Sequence, residues 1–132
     1  MKTYSISMSA FFDATPEQVF RALTDSKQIE VWSGQSGKVE LKKNGKVKMF
    51  NEWAKGSVLK FSDGKTLEYT WHTADWDDHI EASVVKFSFS STAKGAKVSL
   101  RHVHLPSAKE AQSHKEGWKE FVFDPLKEFF RK

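Results

Sequence analysis

Three histidines stand where side chains could do chemistry. His102 and His104 are two apart in an alternating run, and His114 lies on the apolar side of the amphipathic segment that follows. Read as strand and then helix, these positions bring the imidazoles towards one end of the space between the two elements. Three histidines are a donor set that could bind zinc. No Asp or Glu accompanies them on the inward face, so no metal ligand is assigned. Their expected work is polar lining of a cavity: hydrogen bonding to a polar ligand head, or binding that changes with pH.

The carboxylates give little catalytic signal. Glu81 would reach a cavity mouth if its strand keeps the phase of Val85, which makes it the lone acid or base candidate beside His102. Asp75, Asp77 and Asp78 bracket Trp76 but lack the glycine and distal glutamate of a calcium loop, and read as a solvated turn. No nucleophile has an evident base, and no glycine loop would cradle a phosphate. The expectation is a protein that binds rather than catalyses, without a cofactor; an enzyme acting on a hydrophobic substrate is the further alternative.

The aromatics suggest what would be bound. Trp71, Trp76, Phe87, Phe89, Trp118 and Phe121, with Val122, would wall either a pocket or an ordinary core. Bulky groups on both facing elements leave irregular gaps unless small residues oppose them, which favours a pocket for an apolar or amphipathic ligand. A second surface is basic. Lys42, Lys46 and Lys48 alternate with apolar neighbours and point outward, either guarding a sheet edge or meeting an acidic protein partner.

Elements must position these groups. Residues 4–12 alternate as a half-buried strand. Thr15-Pro16-Glu17-Gln18 opens a short helix with a capping box and carries Val19, Phe20 and Leu23 inward. Asp25 repeats the capping pattern before a second short helix with Ile29 and Trp32, and Gly34 and Gly37 open a loop. From Lys38 the period is two. Residues 39–43 and 46–50 read as a hairpin about Asn44-Gly45 in a type I′ turn. Strands at 57–61, 66–72, 80–91 and 97–105 follow, and Pro106 ends the last. Ser107 to Lys132 reads as one long helix with Ala111, His114, Trp118, Phe121, Val122 and Phe129 on one side, kinked at Pro125. Seven antiparallel strands would curl around that helix in an α+β arrangement, leaving a cavity that the short helices plug at one end.

Composition agrees with a single domain over residues 1–132. Cysteine is absent, which excludes disulfides and thiolate metal sites. The formal charge of +4 mixes 21 basic with 17 acidic residues, weak grounds for nucleic-acid binding. The first residues alternate like a strand and show neither a signal peptide nor a membrane segment, so a cytoplasmic location without membrane insertion is expected.

A family resemblance covers nearly the whole chain. Residues 15–25 with Trp32 resemble the opening of the START-like, helix-grip superfamily known as SRPBCC. Leu67-Glu68-Tyr69-Thr70-Trp71, Trp76, Phe87-Ser88-Phe89 and Gly117-Trp118-Lys119-Glu120-Phe121 are similar to one of its branches. That branch is named after the C-terminal domain of the activator of the heat shock protein 90 ATPase. The resemblance implies a helix-grip fold with a ligand-holding cavity and a possible chaperone partner in the stress response. The eukaryotic activator has an additional N-terminal domain that is not expected in these residues.

Overall fold

The computed structural model describes residues 2–131. It begins with β1 (Tyr4–Phe12), α1 (Pro16–Thr24) and α2 (Ser26–Ser33). Thr15 Oγ1 accepts from the Gln18 backbone N–H at 3.1 Å, and Gln18 Oε1 accepts from the Thr15 N–H at 2.8 Å, completing the capping box. Asp25 occupies the next N-cap, but its side chain makes no capping bond. The two short helices are tied instead by the Trp32 indole N–H, which donates to the Ala22 carbonyl at 2.8 Å.

The strands β2 (Lys38–Val39), β3 (Lys46–Met49), β4 (Ala54–Ser62), β5 (Thr66–Thr73), β6 (Ser83–Thr92) and β7 (Gly95–Leu105) follow. They join β1 in one seven-stranded antiparallel sheet, ordered β1-β7-β6-β5-β4-β3-β2. The strand count and the two short helices after β1 match the sequence reading. Burial alternates along β1, β5 and most of β6 and β7, as on β5, where Leu67, Tyr69, Trp71 and Thr73 are buried between half-buried neighbours, whereas β4 buries only Ala54 and Val58. That alternation gives the sheet one apolar face for the C-terminal helix to cover.

Two local expectations fail in the strands. The Asn44-Gly45 hairpin does not form: Val39 pairs with Val47, and Lys38 with Lys48, so a longer loop joins the strands. Only Asn44 has positive φ, whereas a type I′ turn needs it at both central residues. Gly45 is held tightly instead, since a Cβ there would meet the Glu40 carbonyl oxygen at 2.1 Å. Lys42 therefore lies in a loop, Lys46 is exposed on β3, and Lys48 is half-buried and pairs with Glu52 at 3.7 Å. The second failure is at the end of β7. His104 has φ of 63°, and the β1–β7 register slips where Tyr4 faces Leu105 but Ile6 faces His102. This bulge turns His104 outward and places Leu105 in the core.

The C-terminal helix runs through α3 (Ala108–Gly117), a π-helical segment (Trp118–Phe123) and α4 (Asp124–Phe129); Lys132 lies outside the described residues. Ser107 caps its start by accepting from the Glu110 N–H at 3.0 Å. Pro125 has no N–H to give the Phe121 carbonyl, and the chain widens just before it, with the Asp124 N–H reaching back to the Lys119 carbonyl. Where a kink at Pro125 was expected, the helix accommodates the proline by a π-turn just before it. It changes the helix phase: Trp118, Val122 and Phe123 are buried, whereas Phe121, expected inward, is 54% exposed. Among the described residues, no helix is long and apolar enough to cross a membrane.

Candidate functional site: an aromatic cavity between sheet and helix

A cavity of about 490 Å³ opens between the C-terminal helix, β5 and the loops beside it. From the helix, Glu110, Ser113, His114, Gly117, Trp118, Phe121 and Val122 border it. Trp71 of β5 forms its back, and Asp75 follows on the β5–β6 loop. Gln35, Phe50 and Trp53 complete the mouth.

The floor is a hydrogen-bonded cluster of rings. His102 is fully buried on β7 and has both nitrogens engaged. The Trp118 indole N–H donates to its Nδ1 at 3.0 Å, and its Nε2 lies 2.7 Å from Ser83 Oγ. An indole nitrogen only donates, so Nδ1 is the bare nitrogen and Nε2 carries the proton. Ser83 passes the chain on, donating to the Trp71 carbonyl at 2.9 Å. His114 repeats the pattern: the Trp71 indole N–H donates to its Nε2 at 3.2 Å, and its Nδ1 meets the Glu110 carbonyl at 2.9 Å. Both histidines are thus held neutral. Burial pushes His102 down to about 3, aided by repulsion from His114, whose ring centre is 5.1 Å away. Burial lowers His114 too, against the opposing pull of the Glu110 carbonyl and carboxylate. With every nitrogen occupied, neither ring is free to ligate a metal, and His104 is turned away by its bulge.

The mouth is built differently. Phe50, Asn51 and Glu52 are consecutive residues with φ of 56°, 56° and 69°, a left-handed turn between β3 and β4. Side chains with a Cβ adopt that conformation at a cost of roughly 1–2 kcal/mol each. Asn51 secures it: its Oδ1 accepts from the Ser36 N–H at 2.8 Å and the Ser36 hydroxyl at 3.0 Å, and its own N–H reaches the Ser36 carbonyl. Glu52 adds ion pairs to Lys48 and Lys55. The turn presents Trp53, 36% exposed, whose indole N–H donates to Asp75 Oδ2 at 2.8 Å. Trp53 lies over His114, with ring centres 6.2 Å apart and planes at 26°.

Of the residues expected to bind a ligand, Trp71, His114, Trp118, Phe121 and Val122 border the cavity. Phe87 and Phe89 are core: Phe87 packs edge-on against Trp118, and Phe89 against Phe20. Trp76 is buried against His72 and His114, and its indole N–H has no hydrogen-bond partner among the described residues. Glu81 is exposed in the loop before β6, because the strand begins only at Ser83 and the expected phase is never established. His102 lies beneath the cavity rather than on it. Sequence reasoning missed Gln35, Phe50, Trp53, Asp75, Glu110, Ser113 and Gly117. Only Trp53, a tryptophan in an otherwise polar stretch, carried a signal that could have flagged the mouth.

Comparison with known proteins agrees with this architecture. A family model described as Activator of Hsp90 ATPase homolog 1-like protein matches residues 13–131. The human Activator of 90 kDa heat shock protein ATPase homolog 1 is 19% identical over 128 residues, covering 97% of this chain and 37% of that protein; its mouse counterpart matches equally. The chain therefore spans little more than a third of the curated relatives it matches. A crystal structure of an HSP90 activator from Plasmodium falciparum superposes with a TM-score of 0.84 at 24% identity, covering 95% of this chain and 94% of that one. A protein from Mesorhizobium loti gives 0.81 at 24% identity, covering 95% of both chains. At such identity these structures establish the fold alone.

Proposed function

The chain belongs to the Activator of Hsp90 ATPase homolog 1-like family, and on that premise we propose that it is a non-catalytic binding protein holding a small apolar or amphipathic ligand between sheet and helix. The observation that carries this reading is the cavity itself: about 490 Å³ walled by Phe50, Trp53, Trp71, Trp118 and Phe121, a size and lining suited to a small molecule. Gly117 supports it. This glycine lies in helical backbone, where alanine would be favoured by up to about 1 kcal/mol, yet it borders the cavity and an added Cβ would meet only Phe121 at 3.9 Å. Replacing it fills open space. Neither Glu81 nor His102 borders the cavity, which argues against the enzyme alternative.

Native mass spectrometry of gently purified protein tests the proposal, with extraction and identification of bound material. A co-purifying lipid or small aromatic, absent from a folded Gly117→Leu variant, is the expected result. A clean apo mass, together with no binding from a library of apolar probes, would overturn it.

A second reading is a chaperone contact in the cytoplasm, favoured by the family and by the description of the Plasmodium relative as an HSP90 activator. Lys42 and Lys46 are exposed and make no ion pair among the described residues, so they could meet an acidic partner, with Lys48 beside them. Charge reversal at Lys42 and Lys46 should abolish capture of a heat shock protein 90 without unfolding the domain. Unchanged capture would reject that surface.

A further inference from the structure

The charge lining the cavity is one-sided. Its bordering residues include two carboxylates, Asp75 and Glu110, and neither a lysine nor an arginine, although the whole chain carries a formal charge of +4. The histidine there, His114, is held neutral, with Nε2 accepting from Trp71. Asp75 sits beside the Trp53 indole, and Glu110 Oε1 lies 3.3 Å from His114 Nδ1. Between these carboxylates stand aromatic rings whose faces carry negative charge density. An anionic amphiphile entering the cavity would meet two negative groups and no counter-charge. A cation would meet carboxylates and ring faces, the combination that recognises ammonium groups.

We propose that the cavity selects small organic cations, an ammonium group carried on an apolar or aromatic body, over neutral and anionic molecules of the same shape. This rests on the reading of the cavity as a ligand site, and names the ligand's charge.

The test uses three matched probes: benzyltrimethylammonium, its neutral carbon isostere neopentylbenzene, and phenylacetate. Binding is followed by the indole N–H resonances in a titration of the full chain. The cation is expected to bind at least tenfold tighter than the neutral isostere, shifting Trp53 and Trp71, while phenylacetate leaves them unmoved. Asp75→Asn and Glu110→Gln remove the charge and keep the side-chain shape, so in the variants shown by their melting curves to be folded the cation should weaken three- to tenfold more than the neutral probe. Neutral or anionic probes binding as tightly as the cation would overturn the charge selection while the ligand-site reading stands. No probe shifting any cavity resonance would overturn both. Loss of affinity for cation and neutral probe alike in the two variants would also count against the carboxylates as the selecting groups.

Discussion

The floor and the mouth of the cavity share Trp71 and His114 but solve opposite problems. In the floor, Trp118, His102, Ser83, Trp71 and His114 form two hydrogen-bonded chains that leave each imidazole nitrogen partnered. At the mouth, Trp53 and Phe121 keep a third to a half of their surface exposed, and the backbone beneath Trp53 sits in three left-handed residues. Buried polar groups tolerate little change, because an unmade hydrogen bond there costs about 1–3 kcal/mol. Strained, exposed aromatics contribute little to folding and persist where the surroundings hold them. His102 thus belongs to the part that specifies the fold, His114 joins that part to the cavity, His104 is turned away from both, and less conspicuous residues form most of the part that faces a ligand.

Truncation in the floor should have the largest effect. Trp118→Ala removes a ring packed 5.1 Å from Trp71 and 5.6 Å from Phe87, and should cost about 3–5 kcal/mol in denaturant unfolding. Trp118→Phe keeps most of the packing but strips His102 Nδ1 of its donor, and should cost about 1–3 kcal/mol. If the phenylalanine variant matches wild type, the floor is simple packing and the contrast with the mouth dissolves.

The floor should also make stability depend on pH. His102 titrates at about 3 in the folded chain against 6.5 when free, and His114 is lowered in the same sense. Below pH 6.5 the unfolded chain binds protons that the folded one refuses, so stability is full above that pH and declines as pH falls towards 3. At pH 5 the His102 share is about 2 kcal/mol. Urea titrations at pH 7 and pH 5 measure it, and His102→Gln should flatten the difference. An equal pH slope in both proteins would show that His102 is not its source.

A smaller effect is expected where the mouth is stitched. Asn51→Ala loses the side-chain bonds to Ser36 and leaves at φ of 56° a residue that tolerates the left-handed region less well than asparagine, costing about 1–2 kcal/mol. Asn51→Gly relieves the backbone but not the lost bonds, so it should fall between that variant and wild type. If glycine is as damaging as alanine, the side-chain bonds alone hold the turn.

The same contrast governs what could be read from the sequence. Burial periodicity is a signal averaged over many residues, so β1, β5 and the count of seven antiparallel strands were legible, and the capping box at Thr15 was legible as a local motif. The errors fall where one backbone torsion or one extra residue resets a period. A left-handed His104 moves the inward position to Leu105, and the π-turn before Pro125 exchanges Phe121 for Phe123. The first leaves no compositional trace, and in the second Pro125 marks a disturbance of the helix without telling which residues it turns inward. The mouth was harder still, because Gln35, Phe50 with Trp53, and Asp75 come from three loops that only the fold assembles. Of the site, the sequence revealed chiefly the residues on regular elements.

Phe121 offers the finest discrimination, because its sequence position suggests core and its structural position is the rim. It borders the cavity while 54% of its surface stays exposed. Burying a phenylalanine fully is worth about 1.5–3 kcal/mol, and most of that is not realised for a ring this open. Phe121→Ala should therefore shift unfolding stability by only about 0.5 kcal/mol, but remove a wall from the cavity and weaken a bound apolar probe about tenfold. Phe123→Ala, in the position the π-turn sends inward at 2% exposure, should do the reverse, destabilising by about 3–5 kcal/mol with little effect on affinity in whatever protein remains folded. Parallel denaturation and titration of the two variants measures both quantities. If Phe121→Ala loses stability like Phe123→Ala, the helix keeps its regular phase in solution, and the separation of mouth from floor loses its structural basis.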